Sequence, residues 1–228
     1  MRRSEHQPGF SLVELLVAIA IIAVLAALAI PAIAGAQERS HSVACLGQMR
    51  QIGSAVLLYA QDNQGRFPRS GHSAGPNHEP GWAASIAPYL GAHAADATAE
   101  WINREFRCPC KTGPGTYSYG MNVFFEVGQG DSYLGRPATW RCSMQVPGPA
   151  RTILLAETRS GSGGAMTADH FMCHQWSSLT AVKNAVAHDR HSGKSNFLFV
   201  DGHVETLPIA DTFKSRTDNL WNPSTAGN

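Results

Sequence analysis

Apolar residues are distributed unevenly along the 228-residue chain, and the longest run of them lies near the N-terminus. From Phe10 to Ala36 about 27 residues are nearly all apolar, and a helix of that length spans roughly 40 Å, more than the bilayer core of about 30 Å. Glu14 is the one ionisable residue in this run. The pattern therefore predicts a membrane-spanning helix with an acidic side chain near its start, and an acid in such a place is by default a functional candidate.

The pattern changes to an amphipathic one in residues 37–62. Apolar residues there recur at steps of three and four with polar residues between them, which predicts a helix with one face to bury. The two halves together predict a single helix from about Phe10 to about Gln61. Pro31 should introduce a kink or a short melted stretch, and the Asp-Asn-Gln-Gly sequence at 62–65 should end the helix.

The rest of the chain carries shorter patterns. Strands are predicted over Tyr117–Phe125, Arg151–Glu157, Ser195–Val200 and His203–Leu207, and short helices over Trp82–Leu90 and Ala94–Phe106. Asp201 and Gly202 form the dipeptide preferred in two-residue type I′ hairpins. These elements predict an α+β fold, in which a long N-terminal helix packs on a small antiparallel sheet with loop-rich insertions. Trp221, in a polar tail, is expected to dock on this head.

The charge composition argues against nucleic-acid binding and indicates how the chain is oriented in the membrane. Lys plus Arg (18) nearly equals Asp plus Glu (17), so the net charge of +1 gives no drive towards nucleic acid, and we find no local basic patch. Arg2 and Arg3 precede the apolar run and should keep the N-terminus in the cytoplasm. The roughly 190 residues beyond the run are enough for one domain, which would then lie outside the cytoplasm.

The sequence around Gly9, Phe10 and Glu14 resembles the prepilin-type cleavage and methylation signal of type IV pilins and type II secretion pseudopilins, and Pro31 also falls where these proteins have it. The resemblance implies that prepilin peptidase cuts between Gly9 and Phe10 and that the new amine of Phe10 is methylated. It further implies that Glu14 assists assembly. In a bundle of parallel helices the Phe10 amine of a neighbouring subunit is the nearest cation for this acid.

The resemblance implies a chain of four parts. Residues 1–9 are the leader, 10–36 the transmembrane or filament-core helix, 37–62 its amphipathic second half, and 63–228 a periplasmic or extracellular head. Such a protein is a structural subunit without enzymatic activity. Its expected partners are prepilin peptidase, like or related pilin subunits and the lipid of the inner membrane, which it spans once before entering a filament.

Further matches extend this resemblance to a large group of bacterial proteins with the same signal. They comprise Cys45 to Pro68, Cys108-Pro109, Ser118 to Asn122, and a C-terminal signature of His191, Gly193, Asn196, Phe199, Asp201, Gly202, His203 and Val204. We interpret Asn196, Asp201, Gly202 and His203 as a structural motif. Whether the filament serves secretion, adhesion, motility or DNA uptake is left open by the sequence.

Five cysteines lie beyond the membrane segment, where an oxidising compartment permits disulfides: Cys45, Cys108, Cys110, Cys142 and Cys173. The odd count leaves at least one thiol outside an intrachain pair. Spacing does not determine connectivity; our preference is Cys45 with Cys108 or Cys110, and Cys142 with Cys173.

Histidines could join Cys108, Cys110 and Cys173 in a zinc site, but their spacing fits no strong zinc signature, so no metal is predicted. The histidines considered are His170, His174, His188, His191 and His203. The resemblance also admits calcium, since some pseudopilin heads bind it in a C-terminal loop. The acids near that end are too scattered to specify such a site.

Three alternatives compete with the filament subunit. A secretory signal could be cleaved after Ala36, although the apolar run is much longer than usual. A plain uncleaved anchor would leave Gly9-Phe10 and Glu14 unexplained. The third is a membrane-tethered binding module or enzyme of the cell envelope that uses the signal only for export, with a ligand in the loops around Trp82, His170 and His203.

Overall fold

The computed structural model describes residues 11–93, 96–111, 117–126, 140–159 and 169–226. The chain divides into two compact units, one ending at Ser40 and the other beginning at His41. The first helix, α1 (Leu12–Asp62), contributes to both. Its bounds agree with the helix predicted from the apolar run and the amphipathic segment that follows it.

α1 ends as its sequence predicts. Gln64 and Gly65 adopt positive φ angles of 60° and 78°, and the N–H of Gly65 donates to the carbonyl of Ala60 at 2.7 Å. A backbone bond of this kind satisfies a terminal helix carbonyl, and glycine adopts the required conformation at least cost. The helix runs through Pro31 without interruption, so the predicted melted stretch is absent.

Among the described residues of the second unit, five short helices follow: α2 (Gly71–Ala74), α3 (Trp82–Ile86), α4 (Ala99–Glu105), α5 (Leu179–Ala185) and α6 (Ile209–Thr212). α3 continues into a 3₁₀ turn at Ala87–Leu90, so the prediction over Trp82–Leu90 is confirmed. α4 is shorter than predicted. Side-chain caps define two starts: Thr98 accepts from the N–H of Trp101, and Ser178 accepts from the N–H of Ala181.

In the part of the chain that the structure describes, five strands form the main sheet: β1 (Tyr119–Asn122), β2 (Ile153–Glu157), β3 (His170–Phe171), β4 (Ser195–Phe199) and β5 (Val204–Leu207). Their order is β3-β1-β2-β4-β5. The sheet is mixed, which corrects the predicted antiparallel one, because β3 pairs parallel with β1. The β1–β2, β2–β4 and β4–β5 pairs are antiparallel.

The β4–β5 hairpin differs in detail from the prediction. Its loop has three residues, 200–202, because Phe199 still pairs with His203, whose carbonyl accepts from the Phe199 N–H at 2.9 Å. Gly202 alone of the three has a positive φ, 93°, whereas a type I′ turn needs two such residues. The N–H of Val200 donates to the carbonyl of Thr152 at 3.0 Å, which holds Val200 against β2 and out of the two-residue turn.

The strands β1, β2 and β4 are buried on both faces, whereas the edge strand β5 is partly exposed. Leu155 of β2 and Leu198 of β4 belong to a core with the second half of α1, α3 and α4. Phe197 and Phe199 of β4 belong to a second core that includes α5 and Trp221. Strands covered on both sides explain why β2 reads as a continuous apolar run.

The C-terminal tail docks on the second core, as predicted. β6 (Phe213–Ser215) and β7 (Asp218–Asn219) form a small antiparallel pair that leads to Trp221. The indole of Trp221 packs edge-on against Trp176 and Phe197, and its N–H donates to the hydroxyl of Thr212 at 3.2 Å.

Candidate functional site

The start of α1 holds the acid singled out from sequence. The backbone N–H of Ser11 donates to Oε2 of Glu14 at 2.9 Å, and the hydroxyl of Ser11 accepts from the N–H of Val13 at 3.3 Å. This exchange is a capping box, which satisfies amide groups that a helix start leaves without intrahelical partners. Gly9 and Phe10, the predicted processing site, lie outside the described residues.

α1 is exposed over the whole of residues 11–40. It is long and apolar enough to cross a membrane by length and composition, with a mean hydropathy of 3.0 over its most apolar 18-residue window, none of which is buried. The large apolar side chains from Leu12 to Ile33 are each more than half exposed. An exposed apolar surface of this extent marks an interaction with lipid or protein.

Three of the five cysteines of the head lie close together, and the other two lie apart from them. A disulfide joins Cys45 to Cys108, one of the two partners predicted for Cys45. The predicted Cys142–Cys173 pair is wrong. Cys142 is next to Gly65, just beyond the end of α1, whereas Cys173 is buried in the core that contains Trp221.

One group of metal-ligating side chains is brought together within the described part of the chain. Cys45, Cys108, Cys110 and His191 each place a sulfur or ring nitrogen within 4.8 Å of the others. We refer to these four residues as the cysteine–histidine cluster. The predicted set of candidate ligands included three of its members but omitted Cys45 and added histidines that lie elsewhere.

The turn before β4 positions His191. Ser192 and Gly193 have positive φ angles of 53° and 82°, and His191 and Lys194 exchange backbone hydrogen bonds across them. Positive φ at both central residues is the type I′ signature that the sequence had suggested at Asp201 and Gly202. It is found here instead.

Glu157, at the end of β2, is contacted by residues that belong to the C-terminal signature or lie next to it. Its Oε1 lies 2.7 Å from Nε2 of His191 and 3.6 Å from Sγ of Cys108. Its Oε2 accepts from the hydroxyl of Ser195 at 3.2 Å and from the N–H of Asn196 at 3.1 Å. Glu157 is fully buried, and these contacts supply the hydrogen bonds that a buried carboxylate requires.

The signature is therefore divided between two places. Asn196 contacts Glu157 and also accepts from Thr206 at 2.6 Å, so it links β2, β4 and β5. Asp201 accepts from the backbone N–H of His203 at 3.1 Å and bonds its ring at Nδ1. The His203 ring stacks on Phe199 at 4.3 Å. Asp201, Gly202 and His203 thus lie at the β4–β5 hairpin, and their interpretation as a structural motif stays a prediction.

A second buried polar cluster surrounds Glu126 and was missed from sequence. Oε2 of Glu126 accepts from the hydroxyls of Ser70 and Ser73 at 2.6 and 2.7 Å. Burial raises the pKa of Glu126 to about 7, against the opposing effects of both serines and of His170. We refer to Ser70, Ser73, Glu126, Asp169 and His170 as the Glu126 cluster.

Asp169 and His170 complete the Glu126 cluster. Oδ1 of Asp169 lies 2.9 Å from Nδ1 of His170, and its Oδ2 accepts from the N–H of Gly71 at 2.6 Å. Burial works to lower the pKa of His170, but the bond to Asp169 and the charges of Glu126 and Asp169 outweigh it and raise that pKa. Trp82 is buried and donates from Nε1 to the carbonyl of Asp169 at 2.9 Å. A ligand was suggested in the loops around Trp82, His170 and His203. Two of these residues, Trp82 and His170, are thus buried inside the head.

The sequence contains only weak indications that Glu157 and Glu126 would be buried. Glu157 ends an apolar run that was correctly predicted as an inner strand, so its burial could have been expected. Glu126 follows a 3₁₀ turn at Val123–Phe125 and has no local pattern that marks it. For Glu126, burial results from tertiary contacts with Ser70 and Ser73, which no local pattern records.

Comparison with protein-family models matched residues 6–30 to the prokaryotic N-terminal methylation motif. Comparison with curated proteins and with solved structures gave no match. The matched residues contain the sequence around Gly9, Phe10 and Glu14 and most of the exposed apolar part of α1. This motif, the long apolar helix and the small mixed sheet together support a type IV pilin-like protein with a prepilin-type N-terminal methylation motif.

Proposed function

We propose that the chain is a structural subunit of a type IV pilus or of a type II secretion pseudopilus-like filament. In this proposal prepilin peptidase cleaves between Gly9 and Phe10, and the new amine of Phe10 is methylated. The observation that carries the proposal is the methylation motif on a helix whose large apolar side chains from Leu12 to Ile33 are exposed. No enzymatic role is proposed.

The exposed half of α1 would occupy two environments in succession. As a precursor it spans the inner membrane once, with the N-terminus in the cytoplasm and the head in the periplasm. After cleavage it packs among the same helices of other subunits. Small residues let helix backbones approach closely, and this segment contains Ala18, Ala20, Ala23, Ala26, Ala27 and Ala29.

Glu14 would connect these two states. In the single chain its carboxylate accepts from the Ser11 N–H, so the acid has a partner before assembly. In a filament the amine of Phe10 on a neighbouring subunit supplies a charged partner in a low-dielectric surrounding, where an unpaired carboxylate is costly. This exchange of partners would set the register between subunits.

Intact mass measurement tests the processing step. The chain is isolated from cells with and without prepilin peptidase, and its mass is compared with the masses of the possible products. The expected product begins at Phe10 and carries one added methyl group only when the peptidase is present. A product that begins at Gln37 would instead establish secretory cleavage, and an unprocessed chain in both strains would contradict the proposal.

Filament formation is tested on material sheared from the surface and on filaments released from the periplasm. Antibody to the head should label extended fibres in electron micrographs. Labelling should disappear in the strain that lacks prepilin peptidase. A processed chain that remains in the membrane fraction and never enters a polymer would favour the tethered envelope module instead.

A further inference from the structure

The cysteine–histidine cluster joins three separate parts of the head. Cys45 lies on α1, Cys108 and Cys110 follow α4, and His191 precedes β4. Cys45, Cys108 and His191 are buried, and Cys110 is partly buried. Three sulfurs and one imidazole around a common centre form a ligand set typical of closed structural zinc sites.

The spacing of the ligand atoms suits a tetrahedral ion. Zinc with bonds of about 2.3 Å to sulfur and about 2.0 Å to nitrogen holds its ligands roughly 3.5 to 3.8 Å apart. The four atoms already lie within 4.8 Å of one another. Apart from the opening of the disulfide, only small side-chain adjustments would be needed.

His191 is prepared for coordination by its neighbours. Its side chain is 2% exposed, and Nε2 lies 2.7 Å from Glu157 Oε1. Within the described residues Nδ1 of this ring is buried without a hydrogen-bond partner. A carboxylate that holds one nitrogen fixes the tautomer and leaves a lone pair on the other, which is the arrangement usual behind metal-bound histidines. A buried nitrogen without a partner is otherwise unfavourable.

We propose that Cys45, Cys108, Cys110 and His191 bind one zinc ion in the reduced chain, and that the Cys45–Cys108 disulfide is the alternative, metal-free state. The thiols are reduced when the chain is synthesised, so zinc binding needs no electron transfer and releases only thiol protons. Glu157 acts as a positioning residue.

The two states interconvert by thiol–disulfide exchange. The thiolates of Cys45 and Cys108 give two electrons to a disulfide of an external oxidant, which takes up two protons from water and becomes a dithiol. The new Cys45–Cys108 bond removes two ligands, zinc leaves as Zn²⁺, and Cys110 takes up a proton. In the reduced state zinc ties three segments together, whereas the disulfide ties two.

Metal analysis of the full chain in detergent tests the proposal. One sample is kept reduced with a phosphine and the other is oxidised, and each is given one equivalent of Zn²⁺ or Co²⁺ and desalted. The reduced chain should retain one zinc and show the visible bands of tetrahedral cobalt with thiolate charge transfer. The oxidised chain should retain neither. A reduced chain that takes up no stoichiometric zinc, folded or not, overturns the proposal.

Variants locate the ion. Cys110→Ser and His191→Gln should each weaken zinc affinity at least tenfold, while Cys142→Ser, at a partly buried cysteine outside the cluster, should leave it unchanged. Cys110→Ser retains the Cys45–Cys108 disulfide, so circular dichroism of its oxidised form checks folding independently of metal. Zinc binding by Cys110→Ser or His191→Gln as tight as that of the parent would refute the assigned ligand set.

Discussion

The carboxylate of Glu14 accepts a hydrogen bond from the backbone N–H of Ser11 at 2.9 Å, while the Ser11 hydroxyl caps the N–H of Val13. The acid that the methylation motif brings to this helix is therefore also a local helix-capping group. This capping and the proposed pairing across subunits can be separated, because capping needs only an acceptor oxygen whereas pairing with an amine needs a charge.

Substitutions at these two positions distinguish the roles. Glu14→Gln keeps an acceptor and loses the charge, and Glu14→Val loses both. We expect both variants to enter the membrane normally and to give little sheared filament. Ser11→Ala is the matched control, since it removes the hydroxyl cap, at a cost of about 1 kcal/mol in helix stability, and keeps the charge.

Quantitative blotting of the sheared and membrane fractions provides the measurement. Filament yield from Ser11→Ala should stay close to that of the parent. Normal filaments from Glu14→Val would rule out the pairing role, and normal filaments from Glu14→Gln alone would show that capping is sufficient.

The crossing of α1 over the sheet depends on Gly53. A Cβ atom at this position would lie 2.5 Å from Cδ1 of Leu198, which is fully buried. We predict that Gly53→Ala lowers the free energy of unfolding by about 1 to 2 kcal/mol, because a packed core accommodates an added methyl poorly. Gly47→Ala, in the same helix with open space at its Cβ, should raise that free energy by up to about 1 kcal/mol.

Urea unfolding of both variants in one detergent tests this contrast. Because the helix propensity gained is equal at the two sites, the difference between them isolates the contact with Leu198. Equal stabilisation by both alanines would show that Leu198 moves aside freely.

The Glu126 cluster predicts a pH dependence of stability. The pKa of Glu126 is raised to about 7 in the folded chain, so between its unfolded value near 4.5 and pH 7 the folded state binds a proton that the unfolded state has released. Stability therefore falls as the pH rises through this window and levels off above it. The raised pKa of His170 acts in the same direction, since its stabilisation is present below 6.5 and lost as the pH passes the folded value.

Glu126→Gln should remove most of this dependence. The amide imitates the protonated acid and can still accept from Ser70 and Ser73. We expect equal stability of variant and parent near pH 4.5, and an advantage for the variant on the order of 3 kcal/mol above pH 7. Glu105→Gln, at an exposed carboxylate, is the control. Parallel pH profiles of urea midpoints for Glu126→Gln and the parent would contradict the assignment.

Trp221 should account for much of the stability of the second core. It is 1% exposed and packs against Phe171, Trp176 and Phe197. Trp221→Ala is predicted to cost about 3 to 5 kcal/mol, since it leaves a large cavity and removes the hydrogen bond that the indole donates to the Thr212 hydroxyl. Met144→Ala, at a side chain that is 89% exposed, should change the thermal midpoint little. A comparable loss in both variants would indicate a general rather than a packing effect.

The long elements were predictable because their signals are local and repeated. The apolar run and the three-to-four spacing placed α1 to within about two residues at its start, and the apolar run of β2 identified it as an inner strand. β3 has only two residues, His170 and Phe171, and exists because it pairs with β1. Such a strand has no sequence period of its own, and this is why the mixed character of the sheet was not predicted.

The candidate site likewise has one part that the local sequence predicts and one part that it does not. The motif around Gly9, Phe10 and Glu14 is contiguous and was recognised from sequence. The cysteine–histidine cluster combines positions as far apart as Cys45 and His191, which only the folded head brings together. Tertiary contacts also affect elements that are local in sequence. A hydrogen bond from Val200 to Thr152 changes the hairpin loop from the predicted two residues to three.

The position of the Cys45–Cys108 disulfide has a mechanical consequence. Cys45 is the first buried residue of α1, ahead of Met49, Ile52 and Val56. A pull on the N-terminal part of the helix therefore reaches a covalent bond before it reaches the non-covalent packing of the core. Tension carried along a fibre would be borne at the entry to the head, and the helix could not peel away from the sheet one turn at a time.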